Sequence, residues 1–249
     1  MKTVRIGAGL GFYGDSWRPV RASIERGGVQ YIASDHLSEL TLAILQKDRQ
    51  KDPAAGYARD AVPMLTELWP LAAKNGVKFV LNAGGLNPEG ARDAIARAFR
   101  DKGWKAKIAT VTGDSVLERI DELRAAGEPL AHMDTGADIA AVRDRMLFAS
   151  AYLGAQPIAE ALSRGADIVL TGRVADAALT LGPLAYEFGW RWDDWDRLAA
   201  GLTLGQGTAQ VNSNHVIVST ALDIDTDYAK LVFNAKDAGE TAMRLALYQ

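Results

Sequence analysis

An α/β fold, a mainly parallel, Rossmann-like doubly wound sheet flanked by helices, is what this sequence predicts. Three observations carry the expectation. Short apolar runs bounded by glycine and polar turn residues alternate with longer stretches of helical spacing. Runs such as Phe79-Val-Leu81 and Ile168-Val-Leu170 are apolar throughout, which suits strands buried on both faces of a parallel sheet. Several of these runs end in glycine, amide or charged residues, at the edge where open parallel sheets bind ligands.

Taken in order, Val4-Arg-Ile-Gly7 reads as the first strand and leads into the glycine-rich Gly7-Ala-Gly-Leu-Gly-Phe-Tyr-Gly14. Asp15 or Ser16 can cap a helix from about Trp17 to Arg26, which Gly27-Gly28 ends. Val29 to Ala33 is the second strand, ending in Ser34, Asp35 and His36, and a helix follows from about Ser38. Asp52-Pro-Ala-Ala-Gly56 interrupts it; the next helix, Tyr57 to Asn75, is made irregular by Pro63 and Pro70. Gly76 to Leu81 is the third strand, closed by Asn82-Ala-Gly-Gly-Leu-Asn87, and Pro88 opens a helix to about Lys102. Ala106 to Val111 is the fourth strand, with a helix over Ser115 to Ala126. Met146 to Ser150 reads as a fifth strand or a helical segment. A helix around Ile158 to Arg164 feeds the strand Asp167 to Leu170. Ala175 to Phe188 is helical with a break at Gly182-Pro183, and a short helix to Ala200 follows the aromatic, acidic turn Gly189 to Trp195. Residues 1–201 read as one α/β domain. Residues 202–249 read as an atypical extension with a strand-like Asn214 to Val218, an acidic run Asp223 to Asp227 and a helical ending.

The bulk numbers exclude several functions. A net charge of -3 and pI near 5.7 argue against nucleic acid as the main ligand. With no cysteine, disulfides, thiolate catalysis and Cys-ligated metals are excluded. No leader-like start and no apolar run of membrane-spanning length is present, so the expectation is a cytoplasmic protein with no membrane partner.

Candidate chemistry sits at the strand ends. Gly9, Gly11 and Gly14, with Asp35 after the next strand, have the spacing of a dinucleotide fingerprint. The capping signals place the helix after the last glycine, however, and Phe12 and Tyr13 are bulky, so a ligand loop of another kind fits better than NAD(P). Asp35, His36 and Glu39 read as an acid–base group or part of a metal site, or else as a helix cap with a favourable first-turn charge. An oxygen-ligated divalent cation at Asp35, Asp114 or Asp176 is a further possibility. Asn82, Gly84, Gly85 and Asn87 can hold a carboxylate or oxyanion, or simply form a tight turn. Thr171, Gly172, Arg173 and Asp176 suggest an anion site, against an internal Arg173–Asp176 ion pair. Trp190, Trp192 and Trp195 read as packing.

The segments Ile6 to Asp15, Tyr31 to Glu39, Lys51 to Asp60, Asn82 to Pro88, Ala151 to Ile158, Thr171 to Ala177 and Gly189 to Trp195 together resemble the N-terminal region of the acyclic terpene utilisation protein family (AtuA-like, once a domain of unknown function). That resemblance implies catabolism of citronellol- and geraniol-type compounds through branched acyl-CoA intermediates. Family members continue with a Gly-His and a Glu-Cys-Gly-Ala-Gln pattern, where this chain has only Gly205-Gln-Gly-Thr-Ala-Gln210. The expectation is a short divergent member or one whose site is completed by a homo-oligomer or a partner chain. Three functions follow. The first is a lyase or hydratase acting on a small carboxylate or acyl-CoA. In it His36 with Asp35 or Glu39 moves protons, Asn82 with the Gly84 and Gly85 amides polarises a carbonyl, and Arg173 binds the anion. The second is a non-catalytic ligand-binding or assembly subunit. The third is an NAD(P)-dependent oxidoreductase. The residues name no particular cofactor for the first reading, and a divalent cation is compatible with it.

Overall fold

Five short strands build a parallel sheet: β1 (Arg5–Ala8), β2 (Tyr31–Ser34), β3 (Lys78–Leu81), β4 (Ile108–Val111) and β5 (Ile168–Thr171). A two-residue β6 (Thr220–Ala221) pairs antiparallel with β1, giving the order β4-β5-β3-β2-β1-β6. The computed structural model describes residues 2–212 and 220–221, with side chains described to residue 206. The strand-like Asn214 to Val218, the acidic run Asp223 to Asp227 and the helical ending lie outside the described residues.

The sheet is covered on both faces, as its uninterrupted apolar strands require. Phe79 and Leu81 of β3 and Ile168 and Leu170 of β5 turn to one face. There they pack on α1 (Arg18–Arg26), α3 (Ala61–Asn75) and α4 (Pro88–Asp101). Val80 and Val169, one residue out of step, face α6 (Gln156–Ser163) and α7 (Ala178–Phe188). A smaller cluster forms where Leu42 and Leu45 of α2 (Glu39–Lys51) meet Leu37, Leu86 and Phe148.

The helix boundaries follow local chemistry. The Ser38 hydroxyl accepts from Thr41 N–H and starts α2, and Asn87 does the same for α4 through Gly90 N–H. The start of α1 differs from the expectation: its cap position is Trp17, with no side-chain cap bond, while the Asp15 carboxylate accepts from Ser16 N–H. Pro183 does not break α7. Gly182 beside it lets α7 press on α6, because a Cβ there would stand 2.7 Å from Ile158 Cβ. Burial of the whole helix outweighs the lost bond.

Met146 to Ser150 is neither strand nor helix; its one ladder contact is an isolated bridge from Ser150 to Ser115. The segment between β4 and α6 instead contains a short α5 (Ile120–Ala125), single 3-10 turns and mostly exposed side chains. Its apolar residues are too few to bury a strand. The helix α8 (Trp195–Asn212) runs through Gly201, which packs against Leu181 and Trp190. Trp190 is buried and Trp192 packs on the same cluster, whereas Trp195 is 73% exposed. No helix among the described residues is long and apolar enough to cross a membrane.

Candidate active site

The strand order sets where a cleft can open. After β1, β2 and β3 the chain turns to the face of α1, α3 and α4; after β5 it turns to the face of α7. β3 and β5 are neighbours, so their outgoing loops part in opposite directions. Such a switch point, at the carboxyl ends of the strands, is where open α/β sheets bind ligands. Here β3 delivers Asn82 and β5 delivers Thr171, Gly172, Arg173 and, three residues later, Asp176. The order is not the 3-2-1-4-5-6 order of dinucleotide-binding sheets.

Arg173 is the centre of the polar cluster, and it is only 4% exposed. Its Nη1 donates to Leu37 O at 3.0 Å, and its Nη2 lies 3.4 Å from Asp176 Oδ1 and 3.5 Å from Glu39 Oε1. The Tyr152 ring covers the guanidinium at 4.1 Å, and the Tyr152 hydroxyl donates to the Glu39 carboxylate. That bond is the main reason the Glu39 carboxyl is held low and the Tyr152 phenol is pushed up. Two buried atoms have no hydrogen-bond partner: Arg173 Nε and Asp176 Oδ1. Burial pushes the Asp176 carboxyl above its ordinary range; the charges of Asp35 and Glu39 add to the rise and Arg173 opposes it. Arg173 and Asp176 thus form the internal pair as well as the site's central charges.

Asp35 and Asn82 are brought together next to this pair. Asn82 is fully buried; its Nδ2 donates to Asp35 Oδ1 at 2.6 Å, and its Oδ1 accepts from His36 N–H at 2.6 Å. Both ends of the amide are therefore engaged, which fits positioning of Asp35 better than contact with a substrate carbonyl.

His36 points away from this cluster into the protein, and it is 1% exposed. Its Nε2 lies 3.0 Å from Ser34 Oγ, and its Nδ1 lies 3.5 Å from Asp60 Oδ1, long for a hydrogen bond but close for an electrostatic contact. Ser34 Oγ also accepts from Leu10 N–H at 2.7 Å. The serine proton is then directed at Nε2, which assigns the imidazole proton to Nδ1, facing Asp60. The row Asp60, His36, Ser34 has the order of a catalytic triad, yet Ser34 is fully buried and presents no nucleophile to solvent. The row instead ties together the first glycine loop, the β2 end and α3, whose Asp60 also accepts from Gly14 N–H at 2.7 Å.

The glycines serve close packing. A Cβ on Gly9 would lie 2.7 Å from Ser34 Cα, and Gly9 N–H donates to Ala33 O at 2.6 Å. Gly9→Ala is therefore expected to cost at least about 2 kcal/mol, read as a fall in the urea midpoint with unchanged slope. An unchanged midpoint would mean that the β1–β2 approach is looser than described. Gly11 N–H is 3.5 Å from Asp15 Oδ2, so the amides of Gly11 and Gly14 both face carboxylates, an unfavourable setting for a pyrophosphate. Phe12 is 53% exposed, and Tyr13 is half-buried against the α2 and α3 clusters. A Cβ on Gly84 would lie 2.5 Å from Thr171 O, while Gly85 N–H donates to Asn82 O. Asn87 caps α4 and donates to Ala54 O and Ala55 O. Thr171 is buried with its hydroxyl on Gly172 O.

Three residues of this region were assigned no role by the sequence reading, Ser34, Asp60 and Tyr152, and Asp114 was read only as a possible cation ligand. Asp114 accepts from Arg173 N–H at 2.9 Å and fills the space a side chain at Gly172 would need, 2.6 Å from its Oδ2. Burial pushes its carboxyl up. Each lies within or beside a segment singled out above, but nothing local distinguishes a buried partner from a surface polar residue. Among the described residues, no group of three His, Asp or Glu side chains is placed to hold a metal ion.

The family model of acyclic terpene utilisation family protein AtuA matches residues 4–207, and the chain belongs to that family. Membership implies involvement in acyclic terpene utilisation. No curated protein and no solved structure matches the chain.

Proposed function

We propose that this AtuA-family chain is a cytoplasmic lyase or hydratase acting on a small carboxylate or branched acyl thioester of acyclic terpene catabolism. The observation that carries the reading is the pair of buried Arg173 and half-buried Asp176 at the β3/β5 switch point, each with a buried atom that lacks a hydrogen-bond partner. Buried unsatisfied groups cost free energy, and a catalytic role is one recognised reason for keeping them. A carboxyl raised above its ordinary range, half-buried beside a fixed cation, is suited to taking and returning a proton.

In the elimination direction, the Asp176 carboxylate takes the proton from the carbon α to the substrate carbonyl. The β-hydroxyl then departs as water with that proton, leaving the conjugated double bond; hydration is the reverse. Arg173 opposes the negative charge that develops on the carbonyl oxygen. Asp35, held by Asn82, raises the proton affinity of Asp176, and Glu39 with Tyr152 fixes the guanidinium. His36 positions the β2 end that carries Asp35. The engaged glycine amides, together with an Asp35 carboxyl that already accepts from Asn82 and Leu37 N–H, weigh against NAD(P).

The purified chain is expected to interconvert a branched β-hydroxyacyl thioester and its α,β-unsaturated counterpart, followed by ultraviolet absorbance of the conjugated product. Saturable binding of the thioester with no conversion would replace the enzyme with the non-catalytic binding subunit.

A further inference from the structure

The guanidinium that the proposed reaction uses lies under a cover. Arg173 is 4% exposed, whereas the two residues packed on its outer side face solvent. Tyr152 is 56% exposed, and the Glu39 side chain is 77% exposed. The Tyr152 ring lies over the guanidinium at 4.1 Å, and its hydroxyl donates to Glu39 Oε1. That same oxygen lies 3.5 Å from Arg173 Nη2. Ring, carboxylate and guanidinium therefore close on one another, and a ligand oxygen reaches the cation only when the outer pair moves.

The backbone beneath Tyr152 is tied down on both sides. Ala151 N–H donates to Asp114 O at 2.7 Å, and Leu153 N–H donates to Arg173 O at 3.3 Å. Ala175 N–H donates in turn to Leu153 O at 2.9 Å, and Leu153 bridges to Val174. These bonds fix the residues flanking Tyr152 to the main chain of the site itself. The Tyr152 side chain is held by less, one charge-assisted hydrogen bond and one cation–π contact at the surface. Exposed side chains change rotamer without any backbone motion.

We propose that Tyr152 is a side-chain gate over Arg173. Latched to Glu39 it covers the guanidinium; rotated away it exposes Nη2 and frees Glu39 to yield its place to a ligand oxygen, while residues 151 and 153 stay where they are. The gate rests on the reading of Arg173 as the cation that meets the substrate, but its opening is measurable without turnover.

Phenylglyoxal, which modifies the arginine side chains it can reach, tests the gate on the whole chain. The rate at each arginine is read by peptide mass mapping, with the exposed Arg100 as internal reference. Arg173 of the native chain is expected to react at least about tenfold more slowly than Arg100. Tyr152→Ala should speed Arg173 by about tenfold or more, and Tyr152→Phe, which keeps the ring and loses the latch, by about threefold. Arg100 should be unchanged in both. Hydrogen exchange at the Ala151 and Leu153 amides should match the native chain in both variants. Should Tyr152→Ala fail to fold, Tyr152→Phe decides. Native Arg173 reacting as fast as Arg100, an unchanged Arg173 rate in either folded variant, or amide exchange that rises with Arg173 reactivity overturns the gate. A faster Arg173 in Tyr152→Ala, with no thioester conversion by the native chain, would keep the gate and remove the proposed reaction. Conversion with an unchanged Arg173 rate would do the reverse.

Discussion

Asp176→Asn is expected to lower kcat by about 10² to 10⁴-fold, the range for loss of a positioned acid–base group, and at the same time to raise the melting temperature. The two effects share one cause. The Asp176 carboxyl has a raised pKa because burial, with Asp35 and Glu39 nearby, disfavours its ionised form more than Arg173 favours it. For a carboxyl shifted upward, the folded state binds the proton more tightly than the unfolded chain. Its contribution to stability is therefore most favourable below the unfolded value near about 4 and declines as pH rises through the folded value. At neutral pH an amide of the same shape removes a charge that the fold tolerates only for function. A rise of roughly 1–3 °C is expected, shrinking as the pH is lowered toward 4. Loss of turnover together with a falling melting temperature would identify Asp176 as a structural ion-pair partner, and an unchanged kcat would remove it from the mechanism.

Much of the architecture was legible because it depends on patterns that the chain states locally. Strands β2, β3 and β5 are apolar runs between turn signals, and α2 and α4 begin at Ser38 and beside Pro88, where hydroxyl and proline chemistry start helices. The gathering of Asp35, Asn82, Arg173 and Asp176 at one edge also follows from parallel strands, since every β-to-α loop then lies on the same side. What could not be read was which of these groups faces in. His36 and Glu39 are three residues apart on one stretch, yet His36 is turned into the core by Ser34 and Asp60 while Glu39 lies outside under Tyr152. Asp60 is 24 residues along the chain from His36 and Tyr152 is 21 before Arg173, so only the tertiary fold makes them partners. The segment Met146 to Ser150 shows the complementary limit: apolar character suggested regular structure, but the stretch lies at the periphery, and its ladder pairing is one isolated bridge at Ser150.

His36→Ala is expected to destabilise the fold by about 2–4 kcal/mol, because it opens a cavity and deprives Ser34 of its hydrogen-bond partner. For a chain of this size that is a fall of roughly 5–15 °C in melting temperature. Any loss of kcat measured well below the transition should be small beside that of Asp176→Asn. A stable His36→Ala with turnover reduced as far as in Asp176→Asn would return the proton-transfer role to His36. The acid partner of the row supplies a second readout. Burial raises the Asp60 carboxyl, but its contact with His36 and the amides of Gly14 and Ala61 outweigh burial and hold it below the ordinary range. A carboxyl lowered in the folded state stabilises above its unfolded pKa, near about 4, and loses that contribution as pH falls through the folded value. Asp60→Asn should therefore be less stable than the native chain above about pH 5, with the gap closing on acidification below about pH 4. A gap that stays constant across that interval would show that Asp60 stabilises α3 through its shape and hydrogen bonds alone, with no contribution from its charge beside His36.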